Sequence, residues 1–151
     1  MAIEDLLARQ RTEVLDEAFE GLSRSHPTHY ESSGEDVTRE RLAELFDIVV
    51  TALRDRQLDP VAGYAEAVAE QRFETGFGIA EVQTAFNVME ETIWRHVVTA
   101  LGPDDLAEAL GLVGTVLGHA KDALARRYVS LASRRHVPSL DLTPLFTGVE
   151  R

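Results

Sequence analysis

IAEVQTAFNVMEETIWRHVVTA, residues 79–100, decides the fold. Along it Ile79, Val82, Phe86, Met89, Ile93, His96 and Ala100 recur in alternating steps of three and four, the spacing of side chains that interlock between packed helices. A strand would need β-branched and aromatic residues at every second position, and no part of the chain shows that pattern. The stretch predicts a helix that stops at Gly102. Beyond it, Pro103, Asp104 and Asp105 supply a helix start and first-turn negative charge. Leu106, Leu110, Val113, Leu117, Ala120, Leu124, Tyr128 and Leu131 then repeat the same steps. This last helix is the longest, and about 30 residues at 1.5 Å each would span roughly 45 Å. That exceeds the width of a small bundle, so one end is expected to project or to pack on a partner.

Working back toward the start, Gly76 and Gly78 bracket Phe77. No strand precedes them and the G-x-G-x-x-G spacing fails, so they predict a tight turn between helices and no phosphate loop. Asp59 and Pro60 read as an N-cap and first helical position, followed by Val61, Tyr64, Ala65, Val68 and Arg72 on one face to about Glu74. Another helix is expected from Thr38, as N-cap, to about Arg56, with Leu42, Leu45, Phe46, Val49 and Leu53 facing the core. Residues 25–36 hold Pro27 and Gly34 without an apolar period and read as a loop. Ile3, Leu6, Leu7, Val14, Leu15, Ala18 and Leu22 predict one amphipathic helix over 2–24. The fold class is therefore all-α: a single bundle of about five helices over residues 1–137, and an extended tail over 138–151. Leu140, Leu142, Leu145 and Phe146 make the tail too apolar for a solvated terminus, and we expect it to dock on its own bundle or on a neighbour.

Composition agrees with one globular domain. Of 151 residues, 44% are apolar and 27% charged, a balance that fits neither a disordered chain nor a membrane chain. The longest apolar runs, such as Ile48-Val49-Val50, fall far short of the roughly 20 residues that cross a bilayer. The acidic start, Met-Ala-Ile-Glu-Asp, lacks the features of a secretory signal, so a cytoplasmic location is expected. The absence of cysteine excludes disulfides, thiolate metal sites and thiol nucleophiles. A net charge of −11 argues against nucleic acid and anionic lipid as partners. Lys121, Arg126, Arg127, Arg134 and Arg135 gather near the end of the last helix, where cations complement the helix dipole.

Reactive groups do not converge. No histidine has Glu three positions before it, as carboxylate-bridged metal bundles need, and His-Glu-x-x-His is absent. His26, His29 and Glu31 form a weak metal cue in a polar loop. His96, on the seam of its helix, could hold a ligand, sense pH, or find a hydrogen-bond partner in the core, and the last is the reading we take. His119 sits on the long helix without the acidic residue that follows a phosphoacceptor histidine. No serine lies in a Gly-x-Ser-x-Gly elbow, and Glu66 with Glu70, or Glu90 with Glu91, belong to polar faces. We expect no catalytic residues, no metal, no cofactor and no enzyme activity. One oddity stands out: Gly111, Gly114 and Gly118, with Ala107 and Ala125, form a stripe beside the leucines. Three interior glycines cost a helix about 3 kcal/mol against alanine. A tight helix crossing, within the bundle or across a homodimer, would offset that, and a small ligand pocket is the alternative.

Gln-Arg-Phe-Glu-Thr-Gly-Phe-Gly-Ile-Ala-Glu-Val-Gln-Thr-Ala-Phe-Asn-Val-Met-Glu-Glu-Thr-Ile-Trp, residues 71–94, resembles the central signature of the RsbRD N-terminal domain family. That signature has an arginine, a glycine four later, a hydrophobic-x-Glu-hydrophobic helix start, an aromatic, and a run ending in Ile-Trp. These fall here on Arg72, Gly76, Ile79, Glu81, Val82, Phe86, Ile93 and Trp94, which we expect to be structural. The order of helices is also similar, so the resemblance covers about residues 3–133. It implies a sensory or regulatory domain of bacterial stress-response signalling, of the stressosome type, usually joined to a STAS, kinase or DNA-binding output domain. No output domain is visible in this sequence, which suggests a free-standing relative or an excised fragment. Some relatives have a non-haem globin-like fold and dimerise through long terminal helices. The expectation is a homodimer that acts through a protein partner. A sensor of a small molecule or haem, using a pocket near the last two helices around His96, Gly111, Gly114, Gly118 and His119, is the alternative.

Overall fold

The computed structural model describes residues 1–25 and 32–136, with side chains through 134. The expected tail over 138–151 and the His26–His29–Glu31 cue lie outside these residues. Among the described residues there are six helices and no strand: α1 (Ile3–Arg9), α2 (Arg11–Arg24), α3 (Glu35–Asp55), α4 (Asp59–Glu74), α5 (Ile79–Ala100) and α6 (Pro103–His136). The bundle and its long last helix match the sequence reading. α6 runs for 34 residues, close to 51 Å at 1.5 Å per residue. It lies most extensively along α4 and then α5, while α2 packs on α5 and α3, and α1 on α3 and α5.

Three boundaries differ from the periodicity. The single helix expected over 2–24 is two helices joined at Gln10, whose φ of −102° and ψ of 19° leave helical geometry. Its N–H donates to both Leu6 O and Leu7 O at 3.1 Å, which closes the last turn of α1. The break lets Ile3 and Leu7 on one side, and Val14, Ala18 and Leu22 on the other, reach the same core. α3 starts before Thr38, at Glu35. Gly34 takes φ 91° there, a region open to glycine at no steric cost. Glu35 and Asp36 then place negative charge on the first turn, and Thr38 is buried one turn inside, its N–H on Gly34 O at 3.1 Å. At α4 the cap is Leu58, one residue before the expected Asp59, and Ala62 N–H closes the first turn on Leu58 O at 3.1 Å.

The turn between α4 and α5 carries much of the organisation. Gly76 sits at φ 88°. Phe77 N–H donates to Arg72 O at 2.9 Å and Gly76 N–H to Phe73 O at 3.2 Å, the paired six-to-one and five-to-two bonds of a Schellman ending. This drives Phe77 into the core. There its carbonyl accepts the Tyr128 hydroxyl of α6 at 3.2 Å, and Tyr128 meets the Phe73 ring edge-on at 5.9 Å between centroids. Around this point Phe46, Leu53, Met89, Ile93, Leu117 and Leu124 are wholly buried.

The rim is tied by ion pairs. Arg11 bonds Asp47 through Nε and Nη2, both at 3.0 Å, joining α2 to α3. Arg39 reaches Glu35 at 2.9 Å and Asp16 at 2.8 Å, and stacks over Phe19 at 4.2 Å. Hydrogen bonds to these carboxylates push both guanidiniums further above their ordinary range. Exposed pairs of this kind contribute about 0 to 1 kcal/mol each.

Candidate functional site

The long helix has two unlike faces. Ala109, Val113, Val116, Leu117, Ala120, Leu124 and Tyr128 are buried against the bundle. Gly111, Gly114 and Gly118 are exposed, and a methyl group built on any of them would meet no atom within 4 Å. Among the described residues the glycines therefore mediate no close crossing, and they line none of the cavities described here. Ala107 continues the exposed row, and Val129 is also exposed beyond it.

A neighbouring row on α5 extends this surface. Lys121 Nζ of α6 reaches Asn87 Oδ1 at 3.0 Å and Glu90 Oε1 at 2.5 Å. One and two turns further along α5 on the same side stand Trp94 and Val98, and one and two turns back along α6 stand Gly118 and Gly114. Trp94 is 47% exposed and Val98 40%. A tryptophan that the family pattern led us to expect as structural thus faces outward beside a glycine row. The other signature residues do build the fold. Phe86 is buried, Gly76 supplies the left-handed turn, and Arg72 is 4% exposed. Glu81 N–H donates to Gly78 O at 3.1 Å while its carboxylate accepts Gly78 N–H at 3.2 Å.

His96 occupies a different place. Its side chain is 14% exposed and lies at the margin of the core. Nδ1 lies 2.5 Å from Gln10 Oε1 and Nε2 lies 2.7 Å from Glu17 Oε2, so the ring spans the break between α1 and α2. With Arg9, Glu13, Arg95 and Thr99 it lines an open polar groove of about 560 Å³. Gln10 and Glu17 had no signal in the sequence, because their role appears only when α5 is laid across the junction. His119 is half-buried on α6, away from that groove.

Two of the basic residues toward the end of α6 also tie helices together, and a third pairs within α6 itself. Lys121 bonds α5, Arg127 pairs with Glu70 of α4, and Arg126 pairs with Asp122 at 3.1 Å. Arg134 is exposed, and the side chain of Arg135 lies outside the described set. Among the described residues no group of three or more His, Asp or Glu side chains is placed to hold a metal ion, and no helix is long and apolar enough to cross a membrane.

No curated protein and no solved structure shows a significant match to this chain. The profile of the RsbT co-antagonist protein rsbRD N-terminal domain matches residues 12–137, which takes in α2 to α6 and the whole signature. The chain belongs to the RsbT co-antagonist protein rsbRD N-terminal domain family, and its helical bundle is a regulatory signalling domain of the stressosome type.

Proposed function

We propose that the domain is non-enzymatic and works through protein contacts, first of all by pairing with a second copy along the outward face of α6. The observation that carries this reading is the exposed row of Gly111, Gly114 and Gly118 beside Trp94 and Val98. Glycines whose added Cβ would meet nothing among the described residues destabilise the helix by about 1 kcal/mol each against alanine. Close approach of a second backbone is a contact that glycine alone permits, and a large aromatic beside it supplies apolar area to bury.

A second copy is the occupant that the charges fit. Asp104, Asp105 and Glu108 stand near the start of α6, and Arg126 and Arg134 near its end, all exposed. Two α6 helices crossing antiparallel between Gly114 and Gly118 bring each copy's acidic end against the other's basic end. The same register sets Gly114 opposite Gly118 and Ala107 opposite Ala125. Two-fold pairing of this kind uses one patch on both copies. A signal that shifts the packing of α6 then changes the pairing, and with it the affinity for a downstream protein.

Sedimentation across a concentration series tests this. The full chain is expected to show a dimer that dissociates on dilution, and Gly114→Arg is expected to be a folded monomer, because a Cβ at this exposed position meets no atom of the described residues. A native chain that stays monomeric throughout, or a variant that dimerises as tightly, would refute the pairing. The groove beside His96 supports a second reading, a sensor of a small polar ligand. Its mix of guanidinium, carboxylate and imidazole groups suits a molecule with both charges, and calorimetric titration with amino acids examines it directly.

A further inference from the structure

α1 stands apart from the rest of the bundle. It has 7 residues, fewer than a helix needs to hold its shape alone in water, and it precedes residues 12–137, which the family profile matches. It meets α2 at one non-helical residue, Gln10, whose N–H ends α1 and whose carbonyl accepts the Val14 N–H at 2.9 Å to begin α2. Rotation at that residue can therefore lift α1 without breaking a hydrogen bond of α2. The Gln10 side chain is pinned to α5, its Oε1 2.5 Å from His96 Nδ1, so the pivot stays in place.

Three apolar side chains, Ile3, Leu6 and Leu7, hold α1 down, each at most 4% exposed. The other tie is a charged one. Glu4 Oε2 is buried without a hydrogen-bond partner, and the cation facing it is Arg56, whose Nη1 stands 3.8 Å away. A carboxylate oxygen shut away from water is tolerated beside an opposite charge and is costly without one. Arg56 in turn occupies a position that suits glycine. It ends α3 at φ 54° and ψ 42°, the one non-glycine at positive φ among the described residues. A side chain in that left-handed region strains the backbone, and what this one contributes in return is the contact with Glu4. A groove of about 290 Å³ runs beside Ile3 and Arg56, walled by Leu101, Ala109 and Leu112, so the outer end of α1 is not packed in on that side. We propose that α1 is a strap that opens as a unit about Gln10, with Glu4 and Arg56 as its latch. Closed, it hides the apolar faces of α3 and α5 on which it packs; open, it presents them.

Amide hydrogen exchange of the full chain, resolved by NMR, tests the strap and the latch. The amides of Leu6 to Gln10 are expected to share one protection factor, about ten-fold or more below that of the α5 core. Arg56→Gly is expected to act in two directions at once. Relief of the left-handed strain slows exchange in α5 several-fold, while loss of the latch speeds it in α1 several-fold. Glu4→Met, which removes the charge and keeps the length, is expected to slow α1, and in its presence Arg56→Gly no longer speeds that helix. Protection graded from residue to residue, the mark of simple fraying, would overturn the strap, as would α1 and α5 exchanging at one rate. A shift of both helices in the same direction by Arg56→Gly would remove the latch.

Discussion

The inward and outward faces of α6 share one backbone and follow opposite rules. Inward, Val113, Leu117, Ala120 and Leu124 are at most 1% exposed. Such side chains pack at crystal-like density, and a change of one methylene is felt. Outward, Gly111, Gly114 and Gly118 have open space where a side chain would go. The first face is chosen by the stability of the chain, whereas the second lowers that stability by about 1 kcal/mol per glycine against alanine. Helical periodicity alone cannot separate the two, because both repeat every three or four residues.

Substitutions on the two faces should part company. Leu117→Ala, which empties a wholly buried site, is expected to cost about 3 kcal/mol in chemical denaturation. A loss below about 1 kcal/mol would mean that the inward face is not the core. Gly111→Ala should act in the other direction, raising the stability of the dilute chain by about 1 kcal/mol while weakening pairing at high concentration. Equal stabilisation at every concentration would show the outward face to be plain surface. Trp94→Ala is the smallest expected effect, within about 0.5 kcal/mol for folding of the dilute chain. A buried tryptophan would cost several times more, so the measurement reads directly whether this ring belongs to the fold or to an interface.

Much of the fold was legible in the sequence. The seam of α5, the turn at Gly76 to Gly78 and the long α6 are strong local signals, and tertiary packing does not override them. The break at Gln10 was invisible because apolar residues keep helical spacing across it; only the need of Leu7 and Val14 to reach one core bends the chain there. Thr38 has the chemistry of a cap, yet the backbone freedom of Gly34 and the acids after it started α3 one turn earlier. The site was less legible. The glycine row could be seen, but which way it faced depended on how α6 sits on α4 and α5. Trp94 was expected to be structural as part of the family signature, and its exposure follows from where α5 sits on α6. Arg72 read as one more residue on a helical face, and its buried, unpaired Nε emerges only once α3 and the Phe77 turn close around it.

The unbroken length of α6 makes it a lever. Its first turn meets the chain's N-terminus through Asp105 and Met1, 4.0 Å apart, its middle is tied to α5 at Lys121, and its later turns to α4 at Arg127. A stiff rod of roughly 50 Å pivoting at the Asp105 end by about 5° carries its far end through about 4 Å, nearly the rise of a helical turn. Small rearrangements deep in the bundle are thereby magnified at the far end of the helix.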